Sequence, residues 1–169
     1  MEGSGVHIRW MSVENAMTKE VTCVKSSERV RDAWLILMEK DISGAPVLDE
    51  SGALVGVLSV TDIYRAIVDR VLKAKALREA TRKIEDPAEE DKEELREMSL
   101  AIRAVNELAV SALLPKEQKL FVLGPFDSVE RAIRLMAEHN VNRLPVVKDG
   151  RVIGIITRQD IIRIVSRVR

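Results

Sequence analysis

The chain has 169 residues, enough for one domain or two small ones, and its 27 basic residues balance 27 acidic ones. A net charge of zero gives no electrostatic basis for binding nucleic acid or an anionic membrane. No apolar run is long enough to span a bilayer, nothing at the start reads as a signal segment, and the single cysteine, Cys23, excludes an internal disulfide. A lone thiol fits a reducing cytoplasm, which is the expected location.

Residues 1–10 carry Gly3, Ser4 and Gly5 without periodicity and read as a flexible start. Val13–Met17 reads as a short helical turn, and Val21–Val24 as a short β-branched strand. Ser26 and Ser27 are candidate helix caps, ahead of an apolar stripe at Val30, Ala33, Trp34, Leu37 and Met38. Leu35 and Ile36 lie off that stripe and leave two readings open, scattered surface residues or a second buried face. Ala45–Leu48 and Leu54–Ser59 read as a hairpin with its turn at Asp49–Gly52, followed by a helix starting at Thr61-Asp62.

That helix is expected to run past Val71. Pro87 and the acidic run Glu89–Glu94 interrupt it, and helical spacing returns from Leu95 through Met98, Ile102 and Val105. Residues 73–109 are therefore read as a helical hairpin with a solvated acidic tip, set between residues 11–72 and 110–169. In the second half Leu120–Leu123 reads as a strand, and Asp127 with Glu130 as a capping box. The stripe Val129, Ala132, Ile133, Met136 and Ala137 follows, then a hairpin around Asp149-Gly150 and a last helix from Gln159-Asp160.

The two halves repeat one another. Val30, Ala33, Ile42 and Pro46 align with Val129, Ala132, Val141 and Pro145. Gly56-Val57-Leu58-Ser59-Val60-Thr61-Asp62 aligns with Gly154-Ile155-Ile156-Thr157-Arg158-Gln159-Asp160. An aspartate beside the mouth of a helix is ordinarily a cap, yet a carboxylate can also accept both hydroxyls of a ribose. Ser59 and Thr157 with the first N–H groups of a helix make an anion-favouring end, or simply a cap. Arg143 offers a planar donor fork suited to phosphate, where the first half has Gly44.

With Ser43-Gly44-Ala45-Pro46-Val47, Asn142-Arg143-Leu144-Pro145-Val146 and the two Gly-x-x-Ser/Thr-x-x-Asp endings, both halves resemble cystathionine β-synthase (CBS) domains. The resemblance implies an α/β fold of the α+β type. Two β-α-β-β-α repeats would pack about a pseudo-twofold axis, with the helical hairpin inserted between them. It implies clefts for an adenosine-containing ligand (AMP, ADP, ATP or, alternatively, S-adenosylmethionine) and a homodimer formed through the helices.

Grouped by repeat, the implied contacts are Thr22, Cys23, Ile42, Gly44, Ala45, Pro46, Ser59, Thr61 and Asp62 in the first. In the second they are Phe121, Val122, Val141, Arg143, Leu144, Pro145, Thr157, Arg158 and Asp160. The arginines favour tighter phosphate binding in the second-repeat cleft. No metal-ligand spacing occurs, His7 and His139 stand alone, and no nucleophile has a base beside it. The expected function is a non-enzymatic sensor that changes shape and modulates an unidentified partner protein. A structural module with empty clefts is a rival reading. A nucleic-acid binder is another, against which the neutral charge counts.

Overall fold

A computed structural model describes residues 11–81, 87–115 and 119–166. The expected flexible start at 1–10 lies outside the described residues. Each half forms its strands where β-branched and apolar residues cluster, and closes them with turns that need positive φ. The elements are β1 (Val24–Lys25), α1 (Val30–Glu39), β2 (Gly44–Leu48), β3 (Leu54–Ser59), α2 (Val60–Thr81) and α3 (Pro87–Asn106). They continue with α4 (Val129–Glu138), β4 (Arg143–Lys148), β5 (Arg151–Thr157) and α5 (Arg158–Val165).

β2 pairs parallel with β1 and antiparallel with β3, and β4 pairs antiparallel with β5. The expected strand at Leu120–Leu123 contracts to one parallel bridge, Leu123 with Val146, as Val24 pairs with Val47 in the first half. β1 is likewise shorter and later than Val21–Val24, and Thr22, outside it, lines a cavity. Both hairpins shift register at the same repeat position, between Val47 and Leu48 and between Val146 and Val147. In the second turn Asp149 and Gly150 both have positive φ, as a two-residue hairpin loop requires. Helices α1 and α4 end alike: Asp41 and Asn140 take φ of 50°, and the next residues donate back to Leu37 and Met136.

The repeats complete one another's cores. A short 3₁₀ turn at Val13–Asn15 precedes the first repeat, yet Val13 packs with Leu123, Val129, Leu144 and Ile156 of the second. The matching turn at Val110–Leu113 packs with Val24, Val30, Ala45 and Leu58 of the first. Backbone bonds repeat the exchange. Val13 N donates to Asp127 O (2.8 Å), and Val110 N donates to Glu28 O (2.8 Å). Contacts that run reciprocally in this way mark a twofold relation between the halves.

Several expected details change. Pro87 opens α3 rather than preceding a loop, since its missing N–H costs nothing in a first turn. The acidic residues Glu90–Glu94 therefore lie within a helix, where Glu94 pairs with Lys75 of α2 at 3.1 Å. Arg78 and Glu97 form a second, largely buried ion pair between these helices. α1 is capped by neither Ser26 nor Ser27: Arg29 occupies the cap position, and Val30 N donates across to Leu108 O. Asp127 accepts from Gly124 N within a turn, so Ser128 is the residue that caps α4. Ile36 packs against the core while Leu35 stays exposed, and so does Met38, which the stripe had placed inward.

Because each turn is buried in the opposite repeat, Val13→Ala and Val110→Ala should each cost about 2 kcal/mol of stability. Both should also shift a single cooperative urea transition, followed by circular dichroism. Two separated transitions would show that the halves unfold independently.

Candidate ligand-binding clefts

The helix mouths are built alike. Thr157 caps α5: its N and Oγ1 both donate to Asp160 Oδ2 (2.9 and 2.7 Å), and Asp160 N donates back to Thr157 Oγ1 (3.3 Å). This is a capping box with aspartate in the reaching-back position. Ser59 and Asp62 form the same arrangement at α2, with Ser59 N at 2.9 Å from Asp62 Oδ2. The helices consequently begin one residue earlier than expected on the apolar pattern, at Val60 and Arg158. Each second carboxylate oxygen meets an arginine: Asp160 Oδ1 accepts from Arg163 Nη1 (3.3 Å), and Asp62 Oδ1 lies 3.5 Å from Arg65 Nη1. Asp160 is 5% exposed, less than any other charged residue whose burial is described. A carboxylate oxygen has two acceptor sites, so Oδ1 of each retains capacity toward the cleft.

Arg143 stands at the junction of the repeats. Its Nη2 donates to Ser43 Oγ at 2.7 Å, across from the second repeat to the first. The guanidinium lies on Gly44, where a Cβ would fall 2.4 Å from Arg143 Nη1 and 2.4 Å from the Leu58 carbonyl oxygen. Burial pulls the guanidinium's pKa below its ordinary value, and the Asp62 carboxylate acts in the opposite sense. Among the described residues its one hydrogen-bond partner is Ser43, so most of a five-donor fork remains unused.

Two cavities flank this arginine, of about 700 and 430 Å³. Each draws on both repeats, so the residues grouped by repeat are distributed over two shared cavities. The larger, cleft A, joins Thr22, Ile42 and Gly44 of the first repeat to Thr157, Arg158 and Asp160 of the second. The smaller, cleft B, joins Phe121, Val141 and Leu144 of the second repeat to Ser59, Thr61 and Asp62 of the first. Arg143 and Arg158, expected in one cleft, line both. Arg158 Nη2 also donates to Asn140 Oδ1 at 3.3 Å.

Five expected contacts line neither cavity. Ala45, Pro46 and Pro145 are buried in their sheets, and Val122 is partly exposed elsewhere. Cys23 is half-buried, and burial holds its thiol above the usual pKa, hence protonated at neutral pH. The expectation also missed Thr18, Arg65, Lys119, Asn142 and Arg163. Arg65 and Arg163 carried a signal, since they occupy the same repeat position three residues after each aspartate. Thr18 carried none: it reaches cleft A by pairing with Ile155 of the opposite repeat (2.9 and 3.0 Å).

Two repeats that share two crossed clefts about a pseudo-twofold axis define a paired-repeat binding scaffold. The CBS-domain model matches residues 13–69 and 111–167, and the chain belongs to the CBS-domain family as a tandem pair. MJ1426, an uncharacterized protein of Methanocaldococcus jannaschii, is 32% identical to it over 90% of this chain and 89% of its own. CBSX2, a chloroplastic CBS domain-containing protein of Arabidopsis thaliana, is 29% identical over 86% of this chain and 59% of its own. The crystal structure of CBSX2 in complex with AMP matches at a TM-score of 0.63, covering 93% of this chain and 97% of that one. The CBS domain of a membrane protein from Sphaerobacter thermophilus matches at 0.67 and 27% identity, over 93% and 89% of the two chains. No helix among the described residues of the present protein is long and apolar enough to cross a membrane.

Gly44→Ala should cost about 1–3 kcal/mol, since the added methyl must move either a backbone carbonyl or Arg143. Urea denaturation measures this directly. A loss within about 0.5 kcal/mol, the range of ordinary surface changes, would mean that the junction yields freely.

Proposed function

We propose that this protein is a regulatory module that binds an adenine nucleotide (AMP, ADP or ATP) in the clefts between its CBS repeats. The observation that carries the reading is the half-buried guanidinium of Arg143, aimed between two cavities with one hydroxyl for a partner among the described residues. A desolvated cation with unused donors favours an anion, and the planar fork suits phosphate oxygens. CBSX2 in complex with AMP supports the adenosine part of the assignment. In each cleft the free capacity of Asp62 or Asp160 would accept a ribose hydroxyl. The apolar segments at Ile42 and at Val141–Leu144 would face the base.

The module binds and signals, and does not catalyse. In this reading the Ser59 and Thr157 hydroxyls, which donate to Asp62 and Asp160, serve as helix caps. A ligand that touches both repeats favours whichever angle between them lets it make both sets of contacts, and that preference is what a partner protein would read. A cytoplasmic setting and a homodimer complete the proposal. Tyr64 on α2 and Ile162 on α5 hold equivalent repeat positions and are 66% and 65% exposed, which supports pairing through the helices. Sedimentation equilibrium should give a dimer that Ile162→Glu weakens; a monomer at all concentrations would refute this part.

Thermal unfolding with AMP, ADP, ATP and S-adenosylmethionine tests the central claim. At a hundredfold excess over the dissociation constant, a specific ligand should add about 2.7 kcal/mol. Arg143→Met should remove the stabilisation by phosphorylated ligands. Stabilisation by S-adenosylmethionine alone would replace the nucleotide reading with the sulfonium ligand, and the absence of any stabilisation would leave an interaction module.

A further inference from the structure

The two clefts differ in charge. Among the described residues, cleft B is lined by four cations, Arg65, Lys119, Arg143 and Arg158, against the single carboxylate of Asp62. Cleft A is lined, among the same described residues, by three cations, Arg143, Arg158 and Arg163, against the three carboxylates Glu20, Asp41 and Asp160. Two of the cations, Arg143 and Arg158, are common to both. Lys119 belongs to cleft B alone, and its ammonium stands 5.5 Å from the centroid of the Phe121 ring, which is itself stacked on His139 at 3.8 Å. A cation–π contact with a braced ring places that charge at the cavity wall.

We propose that the clefts divide their ligands by charge. Cleft B takes one nucleotide with two or more phosphates, and cleft A takes an adenosine ligand without phosphate. The proposal rests on the adenine-nucleotide reading above and adds to it the ligand class of each cleft. Its basis is electrostatic complementarity, which discriminates between ligands more than it raises affinity for any one.

Sharing makes the division sharper. A diphosphate in cleft B engages Arg143 and Arg158. What remains in cleft A is Arg163 facing Glu20, Asp41 and Asp160, and that balance repels a second polyanion. Adenosine carries no charge and meets no such penalty. The tighter phosphate site is therefore the cleft that holds the serine-capped helix mouth, Ser59 and Asp62, rather than the one that holds Thr157 and Asp160.

Isothermal titration of the whole protein with ADP, adenosine and inorganic pyrophosphate tests the proposal. ADP should saturate at one per chain, and adenosine should still bind the ADP-loaded protein. Lys119→Met and Arg65→Met should each weaken ADP and pyrophosphate about tenfold and leave the binding of adenosine to the ADP-saturated protein unchanged. The double variant Glu20→Gln, Asp41→Asn should gain a second, weaker ADP per chain. Two equivalent ADP sites in the unaltered protein would overturn the proposal, as would a double variant that stays at one. If neither ADP nor adenosine binds, the nucleotide reading fails on its own. Pyrophosphate then decides the charge assignment: binding that Lys119→Met removes sustains it, and no binding overturns it.

Discussion

The constraint on which the rest depends is the exchange of lead-in turns. Val13 reaches the core of the second repeat and Val110 that of the first, each through a backbone bond to the segment ahead of the opposite helix. Neither repeat is large enough to bury a full core from its own residues. Each borrows one 3₁₀ turn from the other's side of the chain, and the debt is mutual. The exchange fixes the repeats face to face and brings the helix mouth of one against the strand ends of the other. Both clefts are products of that arrangement, which is why each draws residues from both halves.

Within the clefts, the same groups serve stability and recognition. Asp62 and Asp160 each give one oxygen to the cap of their own helix. That bond holds the carboxylate in one rotamer with the second oxygen turned toward an arginine and the cavity. A capping aspartate is thus pre-oriented by its structural role, and a ligand need not order it. Arg143 has the complementary character. Among the described residues it is held by a single hydroxyl, packed on a residue without a side chain, and left with donors to offer.

Much of this was legible in the amino-acid sequence because it is local and repeated. Strands, hairpins and helix mouths recur at matched positions, from Val30 and Val129 to Asp62 and Asp160. Caps were read less well, since Ser26, Ser27 and Asp127 are plausible by type and only geometry shows which side chain reaches a free N–H. Many residues that line the clefts, from Ile42 and Asp62 to Thr157 and Asp160, were legible by type, but which of them meet was not. Thr18 meets Ile155 across 137 positions, and Ser43 meets Arg143 across 100; no local pattern encodes such a meeting. A resemblance between halves invites the assumption that each half owns a site. The structure shows two cavities, each lined by residues of both halves.

The contact of Arg143 with Gly44 has an evolutionary reading. The two residues occupy the same repeat position and touch one another, so they lie close to the pseudo-symmetry axis. Two copies of an identical repeat would bring identical residues to that point. Two glycines would leave it without a cation, and two arginines would overlap. An association of single, separately encoded repeats could not have one of each in every complex. Fusing the copies into one chain removes that restriction, because the halves can then diverge at the one place where symmetry forbids a useful side chain.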